Sequence, residues 1–323
     1  MVASQDYVSG VKNNKIFDQL IESERCLALV GTKPSLYKLV DGLYIYPGLP
    51  FAYLSELDAL VMSDLHLGFE EAAAKGLEYS LRGRSGYAGV FLPRIQFRRT
   101  VEMLARAFKI RRPGRVIING DLKHAFDRLL RQEKEEVSRL IDFIREGGVD
   151  EVTVVRGNHD NFVKRVLEEK DVLIVDSIET SSGFLITHGH LDVDPSRYSH
   201  VVIGHEHPSI RCFGGKMPVF LRMPLTGGGE LVVLPATGPY HPGTTFSLSR
   251  EDYLSPLIRK YGVLEEASFV AWVETSYTGP ALSDADVSRH EKLVGLSEYR
   301  FDSSIVTLVH IENPVLLQAL CEF

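Results

Sequence analysis

The chain has 323 residues, of which 44% are hydrophobic and 24% charged, and carries a net charge of -7. This length suits two average domains or one large α/β domain, and the composition excludes a wholly disordered, collagen-like or coiled-coil protein. No stretch approaches the ~18–20 consecutive apolar residues of a transmembrane helix, and Met1–Tyr7 lacks the basic start and apolar run of a secretory signal, so the expected setting is cytoplasmic with no membrane partner.

Residues 1–57 read as a lead-in, polar over 1–25, whose short strands are expected to pack on the core. A short helix is predicted over Ile16–Glu22, and short strands over Cys26–Val30 and Leu43–Tyr46. From residue 58 short apolar runs recur at Ala59–Met62, Val116–Ile118, Val152–Val155, Phe184–Ile186, Val201–Ile203 and Leu231–Leu234. Such brief runs, rich in β-branched residues, are the pattern of buried strands. Two helical patterns lie among them. One spans Pro93–Lys109 and opens on a first-turn proline; the other spans Phe126–Arg145 and closes on Gly147-Gly148. Strands alternating with helices imply an α/β core over residues 58–245. Residues 246–323 read as an extension, with strands over Ser268–Glu274 and Ser304–Ile311 and a last helical turn over Val315–Leu320. Cys26, Cys212 and Cys321 stand far apart, form no CxxC pair, and are expected to be isolated thiols.

The residues just past each strand are more informative. Ala59–Met62 runs into Ser63-Asp64-Leu65-His66, and Val116–Ile118 into Asn119-Gly120-Asp121. Val152–Val155 runs into Arg156-Gly157-Asn158-His159-Asp160. Phe184–Ile186 leads to Thr187-His188-Gly189-His190, and Val201–Ile203 to Gly204-His205-Glu206-His207. Five predicted strands therefore each release a metal-type or acid–base side chain at the C-terminal end, the rim where α/β sheets bind ligands. Six of the eleven histidines lie between residues 159 and 207. Asp64, His66, Asp121, Asn158, His188, His205 and His207 make seven oxygen and nitrogen donors. That number exceeds one site with an open position and fits two divalent ions sharing a carboxylate. Without thiolates the set suits Mn²⁺, Fe²⁺, Co²⁺ or Zn²⁺, and two divalent ions, Mn²⁺ above the others, are the expected cofactors.

The order DxH, GD, GNHD, a later His and GHxH resembles the calcineurin-like metallophosphoesterase superfamily over about residues 58–245. The resemblance implies a four-layer α-β-β-α sandwich with two mixed sheets. By motif, Asp64, His66, Asp121 and His207 would hold one metal, and Asp121, Asn158, His188 and His205 the other, with Asp121 bridging. His159 would contact the phosphate and protonate the leaving oxygen, with Asp160 orienting it. The implied reaction is phosphate-ester hydrolysis by a metal-bridged hydroxide. Narrower stretches, among them Ser63–Glu70, Leu92-Pro93-Arg94, Asn119–His124, Arg156–Asn161 and Ile203–Pro208, resemble archaeal ICC-like phosphoesterases related to the bacterial DNA-ligase-associated metallophosphoesterase. That implies a phosphodiesterase or nuclease whose substrate is DNA or RNA. A small-molecule or nucleotide phosphatase is the alternative, favoured by the acidic total charge. A non-enzymatic scaffold fits poorly, because all seven ligands and His159 are present.

Substrate contacts are expected from Arg82, Arg84, Lys123 and His124. Between Arg82 and Val116 ten basic residues face a single acid, Glu102, so this segment is +9 and the remainder -16. It reads either as a solvated helical face balancing the acidic helix 126–146 or as a track for a polyanion, with Tyr79, Tyr87, Phe91 and Phe97 interleaved. His241, His290 and His310 belong to no motif and are expected to be structural; Glu206 is expected to point away from the metals. A homo-oligomer is compatible with the sequence, which does not specify one.

Overall fold

The computed structural model describes residues 35–75, 91–212, 215–241, 243–276, 289–291, 294–301 and 303–321. The helix predicted over Ile16–Glu22 and the strand over Cys26–Val30 lie outside these residues, as do Tyr79, Arg82, Arg84 and Tyr87.

The first sheet has seven strands in chain order: β1 (Tyr37–Val40), β2 (Leu43–Ile45), β3 (Ala52–Leu54), β4 (Ala59–Met62), β5 (Arg115–Asn119), β6 (Glu151–Val155) and β7 (Leu173–Val175). β1 to β4 form an antiparallel meander, and β4 to β7 run parallel. Parallel strands need crossover connections, and helices Gln96–Ile110 and Arg131–Glu146 supply two of them. Each starts later than its apolar pattern suggests. The Glu70 carboxylate accepts the N–H groups of Ile95 and Gln96, fixing the first helix start. Glu133 reaches back to the N–H of Leu130, so residues 126–130 remain loop and the second helix begins at Arg131.

The second sheet is mixed and has nine strands. In chain order these are β8 (Ser177–Glu179), β9 (Phe184–Thr187) and β10 (His200–Ile203). After β11 (Pro208–Cys212) and β12 (Gly215–Pro218) come β13 (Phe220–Pro224) and β14 (Glu230–Val233). The chain continues through β15 (Thr244–Thr245), β16 (Ser268–Ser276), β17 (Arg289–Glu291), β18 (Val294–Phe301) and β19 (Ser304–Ile311). The spatial order is β17-β18-β19-β16-β13-β14-β10-β9-β8, while β12, β11 and β15 form a small separate sheet. The α/β architecture with two large mixed sheets, expected from the motifs, is the one found.

Alternation along the strands builds the core. Val202, Val232 and Val270 pack toward the first sheet, against residues such as Ile45, Leu54, Val61 and Ile117. Their neighbours Val201, Ile203, Leu231, Val233, Phe269 and Ala271 belong to a second cluster with Leu257, Ile258, Leu264 and Leu317. A period of two thus buries both faces of the second sheet.

Residues 246–323 are more than an appendage. β16 pairs antiparallel with β13, β19 pairs with β16, and Val306 and Leu308 enter the core between the sheets. Cys212 and Cys321 are joined by a disulfide across 109 residues of sequence, correcting the expectation of isolated thiols. The reason is tertiary: the end of β11 and the end of helix Pro314–Leu320 meet in one cluster, which linear spacing does not disclose. No helix among the described residues is long and apolar enough to cross a membrane.

Candidate metal centre

β4, β5 and β6 are parallel in one sheet, and β9, β10 and β14 in the other, so six strands end at their carboxyl rims with site-bearing loops. The rims are tied together. Thr237 N–H donates to the Ser63 carbonyl and Gly238 N–H to the Asp64 carbonyl, while His66 N–H donates to the Asp121 carbonyl. The loops turn sharply: Asp64, His66, Asp121, His205 and His207 all have positive φ, between 47° and 66°. Non-glycine residues pay ~1–3 kcal/mol for such backbone, and the strain concentrates on predicted ligands.

Asp121 lies at the centre. Its Oδ2 is 3.3 Å from His188 Nε2, 3.7 Å from His66 Nε2 and 3.8 Å from His159 Nε2. Its Oδ1 accepts the His159 N–H at 3.0 Å. Asp64 Oδ1 is 3.0 Å from His207 Nε2 and 3.9 Å from His188 Nε2, and the Nε2 atoms of His66 and His207 are 3.4 Å apart. Ligand atoms of Asp121, His188 and His205 lie within 4.8 Å of one another, as do those of Asp64, His66 and Asp121. The Asn119 carbonyl accepts from His188 Nδ1 at 2.9 Å, which leaves Nε2 directed at Asp121.

The electrostatics are set by burial and by close neighbours. Asp64 and Asp121 are buried, yet neighbouring His207 and His188 hold both carboxyls below their ordinary range. Burial alone would lower His188, but Asp121 and Asp64 override it and hold it up to about 9; Asp64 similarly raises His207. Burial pushes His205 and His124 down to about 4 and His241 to about 3, and lowers His66 and His159 as well. These are neutral imidazoles, the form that binds metals.

The residues present fit a pair of divalent ions. The donors are imidazole and carboxylate, and the buried Asn158 Oδ1 and His241 Nε2 find no hydrogen-bond partner among the described residues. The backbone also makes room. A Cβ on Gly120 would collide with the His188 ring, and one on Gly157 with the Asp121 carboxylate.

The other expected site residues divide. His159 Nδ1 is held by the His124 carbonyl, fixing the ring from behind. Asp160 does not take the ring-orienting role expected of it. Its Oδ1 accepts the N–H of Leu122 at 2.8 Å and its Oδ2 the N–H of Gly157 at 2.8 Å, so it stitches the β5 and β6 loops together. Burial and the nearby Asp121 raise its pKa. Lys123 is fully buried, and its Nζ donates to the Ala125 carbonyl, which removes it from the surface where substrate arrives. His124 faces the cluster, 5.4 Å ring to ring from His66 and 5.5 Å from His159. Glu206 is buried and accepts the Ser255 N–H, away from the ligands as expected.

His241 is the site residue that motif spacing misses. Its ring centroid lies 4.0 Å from that of His66 and 5.4 Å from that of His207, and His66, His207 and His241 offer converging ligand atoms. A signal for it exists: Leu231–Leu234 is a sixth buried run, and a glycine-bearing loop with a histidine comes after it. The histidine stands seven residues beyond the run, outside the tight spacing of the other five. In the basic segment, Arg106 pairs with Glu274 at 2.9 Å, Arg115 with Glu151 at 3.1 Å, and Arg98 with Glu102 at 3.7 Å. These partners lie on β16, on β6 and on the same helix, not on the acidic helix 126–146 that the solvated-face reading named.

Residues 57–216 match the calcineurin-like phosphoesterase family model. The calcineurin-like match covers β4 to β11 and with them all seven predicted ligands and His159, but not His241. No curated protein matches the chain. Among solved structures, a Pseudomonas putida nuclease MPE is similar at 21% identity and a TM-score of 0.45, over 64% of this chain and 88% of that one.

Proposed function

We propose that this protein is a metal-dependent phosphoester hydrolase that acts on phosphodiesters, with a nucleic-acid strand as the preferred class. The observation that carries the reading is the convergence of three histidine Nε2 atoms on one carboxylate oxygen of Asp121. The calcineurin-like match over the same residues supports it, and so does the narrower resemblance to the ICC-like phosphoesterases. In this reading Asp64, His66, Asp121 and His207 hold one ion, and Asp121, Asn158, His188 and His205 the other. Mn²⁺ is the ion we propose, with Fe²⁺, Co²⁺ or Zn²⁺ also compatible with imidazole and carboxylate donors. Bound ions would supply charge neutralisation on the phosphoryl oxygens and a more acidic water.

The chain's own groups do the rest. His159 keeps a proton on Nδ1 through the His124 carbonyl, so its Nε2 is the atom that exchanges protons with substrate. Burial disfavours the imidazolium in the free protein. A phosphate beside the ring reverses that preference and loads Nε2 with a proton. Hydrolysis then replaces the leaving P–O bond with a bond to water oxygen; the leaving oxygen takes the His159 proton, and the proton lost by the attacking water passes to solvent, which leaves His159 neutral. Asp160 keeps both loops in register while this happens.

The test is Mn²⁺-dependent hydrolysis of an aryl phosphodiester against its monoester, with His159→Ala as the control. The diester is expected to be preferred, and His159→Ala to cut turnover by ~10²–10⁴. Monoester preference would replace the diesterase reading with a phosphatase, the alternative that the net charge of -7 favours. Unchanged turnover in the variant would remove His159 from the reaction.

A further inference from the structure

A cavity of about 520 Å³ adjoins the histidine cluster, with His207 and His241 in its wall. That volume is within the ~300–1,000 Å³ of small-ligand sites. The rest of its lining comes from distant parts of the chain: Arg99 from helix Gln96–Ile110, Lys216 from β12 and Trp272 from β16. Three further charges line it, Glu102, Arg106 and Glu274. Glu274 is met by Arg106 through two 2.9 Å hydrogen bonds, and Arg106 also stacks 4.1 Å over Phe301. Glu102 is met by Arg98. Arg99 and Lys216, by contrast, have no carboxylate partner among the described residues; Lys216 Nζ donates to the Gly243 carbonyl at 2.8 Å. The cavity therefore combines two available cations, an indole and two histidines of the candidate metal centre.

We infer that this cavity is a nucleotide subsite, in which Trp272 stacks a base and Arg99 and Lys216 hold the phosphates flanking the one bound at the metal centre. The inference deepens the phosphodiesterase reading and rests on it for the identity of the scissile group. An aromatic platform beside a cationic wall is the arrangement that binds single strands without regard to sequence. A phosphomonoester of a small alcohol would use neither the indole nor the second cation. The recognition surface thus comes from helix Gln96–Ile110, β12 and β16, β16 lying beyond the stretch that matches the calcineurin-like family.

Trp272 is the chain's single tryptophan, so the protein's tryptophan fluorescence comes from this cavity wall. The full-length protein is titrated in excess chelator, which prevents turnover, with a ten-residue oligodeoxythymidylate, thymidine 5′-monophosphate and inorganic phosphate. The strand is expected to quench the tryptophan and inorganic phosphate to leave it unchanged. Substituting Arg99→Ala and Lys216→Ala together should reduce the log Kd against log salt slope by ~1.4, at ~0.7 per strand phosphate contact. With a fluorescent-labelled strand, Trp272→Ala should weaken binding at least about fivefold, the lower end for one stacked base. Absence of quenching by the strand, or an unchanged salt slope in the double variant, overturns the subsite. The aryl phosphodiester assay separates the two claims. Hydrolysis without quenching overturns the subsite and leaves the hydrolase, and quenching without hydrolysis does the reverse.

Discussion

Asp160→Ala should destabilise the protein through the backbone rather than through the His159 ring. Asp160 is buried, and its two carboxylate oxygens accept N–H groups from Leu122 and Gly157 at 2.8 Å each. Alanine leaves both donors buried without a partner, and each such loss costs ~1–3 kcal/mol. The expected destabilisation is therefore about 2–6 kcal/mol, with the lower half favoured where the loops relax. At ~2–4 °C per kcal/mol for a large domain, the melting temperature should fall by roughly 4–24 °C. Asp160→Asn retains one acceptor oxygen and should lose about half as much. Both are measured by thermal unfolding in chelator, where metal binding does not contribute. Because Leu122 adjoins Asp121 and Gly157 adjoins Asn158, metal affinity should fall along with stability. Wild-type melting in Asp160→Ala would refute the stitching role and return Asp160 to some action on the imidazole.

Three further outcomes are expected from the geometry. Asp121→Asn should lose bound metal at both positions, measured as metal content after dialysis, whereas His205→Ala should lose it at one; equal content in the two variants would sink the bridging assignment. His241→Ala should lower metal affinity by ~10–100-fold, as the loss of a supporting ligand does, read by competition with a chromophoric chelator; unaltered affinity would make His241 a packing residue. Glu136 is pushed up to about 7, first by burial, although it accepts from Gly68 N–H and Gln132. Its folded pKa lies above the unfolded one, so the folded state holds an extra proton between about pH 4.5 and 7, and stability falls as pH rises through that window. The wild type should lose ~3 kcal/mol relative to Glu136→Gln between about pH 5 and 8 in denaturant titrations; a constant difference would place Glu136 in its ordinary range.

Sequence-derived expectations are most accurate where the code is local. The strands Ala59–Met62 and Ser304–Ile311 have the predicted limits, because a buried run bounded by turn residues is settled within a few positions. The convergence of Asp64, Asp121 and His188 is likewise legible, since each directly follows a strand and parallel strands carry their carboxyl ends to one rim. Helix starts are less so. Leu130 precedes its helix because Glu133 caps it, and Gln96 opens its own because the distant Glu70 accepts its N–H.

Chemistry, then, was determined by the sequence alone: which side chains are present, that they stand at strand ends, and that nitrogen and oxygen donors outnumber one metal site. Only the tertiary structure decided what each polar residue faces. Lys123 and His124 are adjacent in sequence, yet the lysine is turned into the interior and the histidine toward the cluster. His241, Cys321 and Trp272 depend on the pairing of the second sheet, which brings residues tens to more than a hundred positions apart into contact. Such pairings are selected by burial summed over whole sheet faces, a quantity that no short motif contains.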